Sequence, residues 1–336
     1  MEIMKNIKKN TIILFIITLI ILYIVLKDDL PKVIKALSTM DYKYILVAII
    51  VYLLSICFKA YATYKTVNDS KKITLKEAIK HNIITQFFNG ITPFSTGGQP
   101  MEIYMLTEHN ISGAESTNIV IQNFIFYQTA LVIFGFIAVG YNWIFHIFPK
   151  VTFLRKLVLL GFSINILVAV ALFIITFSKK LTHKIMSFLI KLLSKIKIIK
   201  NKEKIIDNWN TKLEEFHTSA KKLRKRRGLF YIGVLSNIIS LVLLYSVPIF
   251  ILFSLHDYTS MNIMETITSS AYVLLIGAFV PIPGASGGIE YGFMQFFGNF
   301  LNKKIITTML LMWRFITYYL GMILGAMALS FEKKER

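Results

Sequence analysis

The sequence predicts an all-α integral membrane protein, with about six full transmembrane helices and two antiparallel re-entrant segments, broken by Gly and Pro, in an inverted repeat. Hydrophobic residues make up 55% of the 336 residues and charged residues only 17%, with a mean hydropathy of +0.61, outside the balance of a soluble domain. Apolar runs such as 157–177 match the roughly 20 residues that cross a bilayer. One Gly/Pro motif occurs twice. This composition excludes a globular cytosolic enzyme.

Six apolar runs are predicted to be full transmembrane helices. They are residues 11–26, 44–58, 119–148, 157–177, 229–255 and 305–330. The first run resembles a signal peptide, but the residues that follow it, Lys27-Asp28-Asp29, lack a small-residue cleavage site, so a retained helix is expected. Two other hydrophobic segments, 81–106 and 262–300, are interrupted by Gly, Pro, Ser and Thr. Opened backbone at membrane depth is tolerated only inside protein or beside a wet cavity, which predicts re-entrant segments.

The distribution of basic residues predicts the orientation of the chain in a cell membrane. We assume that the N-terminus is cytoplasmic and that each broken segment returns to the side of the membrane from which it entered. The cytoplasmic stretches then contain 28 of the 38 Lys and Arg residues, and the outer stretches contain 9. The remaining one, Arg314, lies in the last span. By the positive-inside rule, both termini of this multi-pass protein are expected in the cytoplasm. The net charge of +20 does not predict nucleic-acid binding, because no aromatic stacking module surrounds the basic residues.

The chain is predicted to divide into an N-terminal membrane half, 1–178, a basic cytoplasmic helical hairpin, 179–228, and a C-terminal membrane half, 229–336. The central segment contains 16 basic and four acidic residues, and its apolar residues recur at heptad spacing in two stretches. Two interpretations of this segment stay open. It binds an anionic lipid surface, or it is a solvated connector on the positive side of the membrane, and the second is favoured.

Two short motifs in the broken segments resemble each other. Residues 93–98 read Pro-Phe-Ser-Thr-Gly-Gly and residues 283–288 read Pro-Gly-Ala-Ser-Gly-Gly, and each is followed by a Glu and then a Tyr. Paired Gly/Pro interruptions in an inverted repeat indicate a transporter's substrate site. Gly lets the backbone open, Pro ends one half-helix, and the next half-helix directs free N–H groups at an anion such as a lipid phosphate. The alternative is that the glycines only permit close helix packing.

Arg314 lies deep in the last predicted span, where a cation costs at least about 2.5–3.5 kcal/mol on insertion scales. We therefore expect it to pair with Glu290 or Glu102. The pair is either a structural link between the halves or a ligand for substrate phosphate that the acids balance. Lys59, at the end of its span, is expected to snorkel to the interface. The candidate substrate-binding residues are Asn89, Thr92, Ser95, Thr96, Gly97, Gly98, Gln99, Glu102, Tyr104, Pro283, Gly284, Ser286, Gly287, Gly288, Glu290 and Arg314.

No catalytic residue, metal site or cofactor is expected. Residues 284–288 match G-x-S-x-G, the pattern of a hydrolase nucleophile, but apolar spans surround them and no His follows His256. The six histidines are scattered, without the spacing of metal ligands. Cys57 is the single cysteine, so no intrachain disulfide is expected.

At these motifs the chain resembles the flippase-like transmembrane domain of the lysylphosphatidylglycerol synthase family. The resemblance rests on Asn89-x-x-Thr92-Pro93-Phe94-Ser95-Thr96-Gly97-Gly98-Gln99-Pro100, on Pro281-x-Pro283-Gly284-x-x-Gly287-Gly288-x-Glu290 and on the arginine of the last span. It implies a membrane domain that moves aminoacylated phosphatidylglycerol between leaflets, with links to lipid metabolism and antibiotic resistance. Two-domain members of the family add a soluble C-terminal domain that attaches lysine from lysyl-tRNA, and this chain is expected to be a stand-alone membrane domain.

Two classes of function stay open. The favoured one is a lipid flippase or transporter that moves a phosphate-bearing lipid between leaflets. The alternative is a phosphatidylglycerol lysyltransferase, acting alone or as a subunit of a split lipid-modifying system. The expected partner is a membrane phospholipid or another phosphate-bearing lipid, and a homo-oligomer and a separate soluble transferase also stay open.

Overall fold

The computed structural model describes residues 30–68, 73–148, 152–184, 187–188, 214, 218, 227–277 and 280–331. The predicted first span, 11–26, and most of the predicted basic hairpin, 179–228, lie outside these residues. At the edge of that hairpin, Lys179 forms an ion pair with Glu214. The main helices of the described residues are α1 (Leu30–Leu37), α2 (Tyr42–Val67), α3 (Leu75–Ile91), α4 (Gly98–Glu108), α5 (Gly113–Phe145), α6 (Thr152–Phe177), α7 (Arg227–Ser254), α8 (Ile263–Gly277), α9 (Gly288–Phe297), α10 (Lys303–Arg314) and α11 (Leu320–Phe331).

Five stretches of helix within the described residues are long and apolar enough to cross a membrane. They are α2, α5, α6, α7 and the continuous helix Lys303–Ser330, in which a π-helical turn, Phe315–Tyr319, joins α10 to α11. They correspond to the second to sixth predicted spans. Because the described residues contain no strand, the predicted all-α integral membrane fold is confirmed. α2 continues beyond its predicted end to Val67, since Ala60 and Val67 are buried inside the protein.

α2 and α7 pack against each other as an antiparallel pair. The backbone N–H of Asp41, just before α2, donates to the carbonyl oxygen of Ser254, at the end of α7, at 2.8 Å. Further along the pair, the Ser240 hydroxyl donates to the carbonyl oxygen of Ser55, also at 2.8 Å. The C-terminal ends of the two helices therefore lie at opposite ends of the bundle, and each leads into one of the broken segments.

The first broken segment folds as a helical hairpin, residues 75–108, which we call the first hairpin. α3 ends before Pro93, whose ring does not fit a continuing helix, and the turn Pro93–Ser95 leads into α4. The ring centroids of His81, in the first part of α3, and His109, just after α4, lie 5.2 Å apart. The two arms are therefore antiparallel, and the chain returns to the end of the bundle from which it came.

The second broken segment, residues 263–297, repeats this arrangement and is called the second hairpin. The turn Pro283–Ala285 separates α8 from α9. The rings of Tyr272, on α8, and Phe296, near the end of α9, lie 5.2 Å apart between centroids. At the other end of the pair, a Cβ atom on Gly277 would lie 2.8 Å from the Ile289 side chain. The arms of this hairpin are antiparallel as well.

The two hairpins enter the bundle from opposite ends, because the first follows the C-terminal end of α2 and the second that of α7. Their turns, Pro93–Ser95 and Pro283–Ala285, contact each other between the two ends of the bundle. We call these turns the tips. The tip-to-tip arrangement agrees with the inverted repeat that the duplicated Gly/Pro motif predicts.

Cysteines at the bases of the two hairpins are expected to react from opposite sides of the membrane. Glu108 and Lys303 are exposed next to the ends of the first and second hairpins. In a Cys57→Ser background, Glu108→Cys should be labelled from the cytoplasm and Lys303→Cys from outside, by the positive-inside rule. The measurement is reaction with a membrane-impermeant maleimide in intact cells and in inverted vesicles. Labelling of both positions from one side would contradict the inverted arrangement.

The last span packs closely against the first hairpin through two glycines. A Cβ atom on Gly325 would lie 2.6 Å from the carbonyl oxygen of Ile83, and one on Gly321 would lie 2.7 Å from Gln86 Nε2, both on α3. Their spacing is the small-x-x-x-small pattern that lets membrane helices approach each other closely. The first hairpin is thereby attached to the span that carries Arg314.

Candidate functional site

Two side chains of the first hairpin hold the backbone of its tip. Thr92 Oγ1 accepts a hydrogen bond from the N–H of Gly97, and Asn89 Oδ1 accepts one from the N–H of Gly98, both at 2.8 Å. A Cβ atom on Gly98 would lie 2.4 Å from Asn89 Oδ1, so a side chain at position 98 would displace this bond. Ser95, the last residue of the tip, is exposed.

The second tip is held by Glu290, the third residue of α9. Its Oε2 accepts a hydrogen bond from the N–H of Gly287 at 2.6 Å and so caps the helix. Gly284 and Gly287 have φ angles of +63° and +86°, in the left-handed region that favours glycine. The Ser286 hydroxyl donates to the Pro283 carbonyl oxygen at 3.2 Å.

The starts of α4 and α9 differ from the free anion sites expected from the sequence. The N–H groups of Gly97, Gly98 and Gly287 already donate to side chains of the protein. Pro100, the third residue of α4, has no N–H group. These three N–H groups are therefore not free to bind a phosphate at the tips.

Arg314 binds the second tip with its whole guanidinium group. Its Nε lies 2.7 Å from Glu290 Oε1 in an ion pair. Nη1 donates to the carbonyl oxygen of Gly284 at 3.0 Å, and Nη2 donates to the Ser286 hydroxyl at 3.2 Å. The Arg314 side chain is only 7% exposed, whereas that of Glu290 is 34% exposed. The expected partner of the buried cation is thus present, and it is Glu290.

Tyr318 connects this ion pair to the first hairpin. The guanidinium carbon of Arg314 lies 4.6 Å from the centroid of the Tyr318 ring, within the range of a cation–π contact. The Tyr318 hydroxyl donates to the carbonyl oxygen of Gly90, close to the first tip, at 2.9 Å. Tyr318 lies within the π-helical turn that directly follows Arg314, and such turns are frequent at functional sites. The tip cluster, as we call it, comprises Gly284, Ser286, Glu290, Arg314 and Tyr318.

Glu102, the fifth residue of α4, contacts a different set of residues from those of the tip cluster. It is 9% exposed, and its Oε1 accepts hydrogen bonds from Thr63 Oγ1 and Asn123 Nδ2, both at 3.5 Å. The ammonium group of Lys59 lies within electrostatic range of the Glu102 carboxyl group. Glu102, which the sequence offered as a second partner for Arg314, therefore belongs to a different group of polar residues.

The expectation that Lys59 snorkels to the membrane interface is wrong. Its ammonium nitrogen lies 5.0 Å from the centroid of the Tyr127 ring, on α5, and faces the region of Glu102. An aromatic face and a carboxylate stabilise the cation on the protein side of α2, and the Lys59 side chain as a whole is only partly exposed. The Glu102 cluster, as we call it, comprises Lys59, Thr63, Asn82, Glu102, Asn123 and Tyr127.

Five members of the Glu102 cluster were absent from the predicted site: Lys59, Thr63, Asn82, Asn123 and Tyr127. A usable signal exists in the sequence, because Asn123 is a polar residue within a long apolar span. Polar side chains in membrane spans usually face the protein interior. Hydropathy alone does not identify such residues, because one uncharged polar residue barely changes the mean hydropathy of a whole span.

The remaining predicted residues lie on or next to the tips. Thr96 and Pro283 are exposed on the two turns, and Gln99 and Gly288 are partly buried at the starts of α4 and α9. Tyr104 is exposed on α4. Within the part of the chain that the structure describes, no three His, Cys, Asp or Glu side chains are grouped so that they could hold a metal ion.

Known proteins resemble this chain in sequence along most of its length. The family described as the lysylphosphatidylglycerol synthase TM region matches residues 11–325. A UPF0104 membrane protein of Methanocaldococcus jannaschii is 26% identical over 344 aligned positions, which cover 98% of this chain and 97% of the relative. A UPF0104 membrane protein of Archaeoglobus fulgidus is 22% identical over 267 residues, 78% of this chain and 77% of that relative. Since the family match includes both hairpins and Arg314, the chain belongs to the family of the lysylphosphatidylglycerol synthase transmembrane region.

Proposed function

We propose that the protein is a flippase-type transporter, which moves a phosphate-bearing lipid, such as aminoacylated phosphatidylglycerol, between the leaflets of the cell membrane. The observation that carries the proposal is the meeting of two hairpins, from opposite ends of the bundle, at the ion pair of Arg314 and Glu290. Broken helices that meet in this way around charged groups recur at the substrate sites of membrane transporters.

The accessibility of the tips supports a substrate site. Phe94 and Ile282 are 56% and 50% exposed, and Ser95 and Thr96 are exposed as well, although the tips lie between the two ends of the bundle. Non-helical backbone at membrane depth is tolerated only where it is buried in protein or lines a wet cavity. Because protein does not cover these turns, they favour a cavity that admits a polar headgroup.

The charges at the tips suit a headgroup that carries both a phosphate and an amine. Glu290 is the more exposed member of the ion pair, so an amine reaches its carboxylate first. A phosphate then competes with Glu290 for Arg314, whose guanidinium fork matches phosphate oxygens. Exchanging one anion for another leaves the buried cation paired throughout, which avoids the large cost of an isolated charge.

Purified protein is expected to speed the exchange of fluorescent lysyl-phosphatidylglycerol between the leaflets of proteoliposomes. The measurement is the rate at which a membrane-impermeant quencher removes fluorescence that starts in the inner leaflet. Arg314→Ala should slow this exchange, because the phosphate ligand is lost. Lys156→Ala is the matched control, since Lys156 is an exposed cation on α6 and its removal should leave the rate unchanged.

Two results would contradict the proposal. The first is exchange no faster than in protein-free vesicles for phosphatidylglycerol, its lysyl derivative and a polyprenyl phosphate alike. The second is transfer of lysine from lysyl-tRNA to phosphatidylglycerol by this chain alone, which would favour the lysyltransferase alternative.

A further inference from the structure

Glu102 is a buried carboxylate whose hydrogen bonds to the described residues are long. Both of its hydrogen bonds, from Thr63 and Asn123, are 3.5 Å long, beyond the usual range for strong protein hydrogen bonds. Both end on the same oxygen, Oε1, whereas an ionised carboxylate has about four acceptor positions. A buried carboxylate with such long hydrogen bonds from the protein is costly to keep ionised, and such residues in membrane proteins commonly mark ion or proton paths.

The groups around Glu102 come from three neighbouring helices. α2 contributes Lys59 and Thr63, α3 contributes Asn82, and α5 contributes Asn123 and Tyr127. The titratable groups among them are the Lys59 ammonium and the Tyr127 phenol, and the amides of Asn82 and Asn123 both donate to Thr63 Oγ1, at 3.4 and 3.1 Å. Lys59 is therefore the cation that balances an ionised Glu102.

Lys59 has partners for both charge states of Glu102. An ionised Glu102 attracts the ammonium group. The ammonium nitrogen also lies 5.0 Å from the centroid of the Tyr127 ring, and this cation–π contact does not depend on the charge of Glu102. A metal cation at this carboxylate would also be repelled by the Lys59 ammonium group. A proton binds to the carboxylate itself and, unlike a metal cation, needs no further ligands.

We infer that the Glu102 cluster is an exchangeable proton site that is coupled to the movement of the first tip. Glu102 lies four residues after Gly98, one helical turn or roughly 6 Å along α4. Gly98 begins α4 just after the tip, and its N–H is held by Asn89. Protonation of Glu102 removes its attraction to Lys59 and so loosens α4 from α2, which biases the position of the tip. The coupling to lipid movement rests on the proposed function, whereas the proton site does not.

The first test detects the proton directly and is independent of transport. Infrared difference spectra of the protein in lipid nanodiscs are recorded between acidic and alkaline pH. A band of a protonated carboxyl group should appear in the wild type and in Glu108→Gln, an exposed glutamate of the same helix, and should be missing in Glu102→Gln. Glu102→Asp should restore a titrating band, which also shows that the site tolerates substitution. A wild-type difference spectrum that Glu102→Gln leaves unchanged would overturn the proton site.

The second test measures coupling in proteoliposomes that carry fluorescent lysyl-phosphatidylglycerol. With pH gradients of opposite direction, the exchange rates of the wild type and of Glu108→Gln should differ, by at most about tenfold per pH unit for a single proton. Glu102→Gln should respond equally to both directions. Equal rates in the wild type, or dependence on a sodium gradient at constant pH, would overturn the coupling. If no lipid exchanges under any gradient while the infrared band is present, the proposed function fails and the proton site stands.

Discussion

Replacing Arg314 with Ala is expected to lower the free energy of unfolding by about 3–5 kcal/mol, the usual cost of removing one partner from a buried ion pair. Glu290 would lose its counter-charge, and the Gly284 carbonyl and the Ser286 hydroxyl would each lose a donor. Because the Glu290 side chain is 34% exposed, water should compensate part of the loss, so we expect the lower end of this range. The measurement is denaturant unfolding of the purified protein in lipid–detergent micelles.

A double-mutant cycle separates the two acids that the sequence offered as partners of Arg314. Arg314→Ala combined with Glu290→Gln should deviate from additivity by more than about 0.5 kcal/mol, because the two residues touch. The same cycle with Glu102→Gln should be additive, since Glu102 has other neighbours. Additivity with Glu290→Gln would refute the pairing. Arg314→Lys, which keeps the charge but not the forked geometry, should fall between wild type and Arg314→Ala.

Gly325→Val is expected to destabilise the protein by about 1–3 kcal/mol, the common cost of overpacking, and to slow lipid exchange. The first carbon of any side chain at this position would lie 2.6 Å from the carbonyl oxygen of Ile83 and 2.6 Å from Phe87 Cβ. The obstacle includes backbone, so α3 and α11 must move apart. That movement would pull the first hairpin away from the span that carries Arg314.

The control for this substitution is Gly140→Val, a change of the same size in a membrane span. Apart from its chain neighbours and the backbone of its own helix, a Cβ atom on Gly140 would have no described neighbour within 4 Å, so the added side chain should meet lipid or open space. Stability and exchange rate should stay close to those of the wild type. Similar losses for both variants would show that the effect arises from valine in a membrane helix, and the close-packing explanation of Gly325 would fail.

Much of the fold was predictable because membrane spans are recognised by length and hydrophobicity, which are properties of the sequence alone. The second to sixth spans and the two broken segments were found in this way, and the repeated motif indicated their antiparallel arrangement. The boundary of α2 was misplaced at Phe58, because Lys59 reads as the end of a span when its partner is unknown. In the folded chain the span continues to Val67.

The Gly/Pro motifs located the tips, but they did not show which backbone N–H groups next to the tips are free to bind a substrate. Asn89 and Thr92 were predicted to bind substrate, yet they accept hydrogen bonds from the backbone of their own tip. A sequence motif shows that glycine N–H groups are available in principle. Only the fold shows that neighbouring side chains already use them.

The sequence by itself determined the all-α membrane fold, the two broken segments and the need of Arg314 for an anionic partner, because each follows from residue composition or from the cost of a charge in lipid. The tertiary structure decided which glutamate forms the ion pair with Arg314. Glu290 is the third residue of α9 and Glu102 the fifth residue of α4. Side chains two positions apart on a helix point in directions that differ by about 200° around its axis. Glu290 therefore faces Arg314 at the tip, whereas Glu102 turns to Lys59 between α2 and α5.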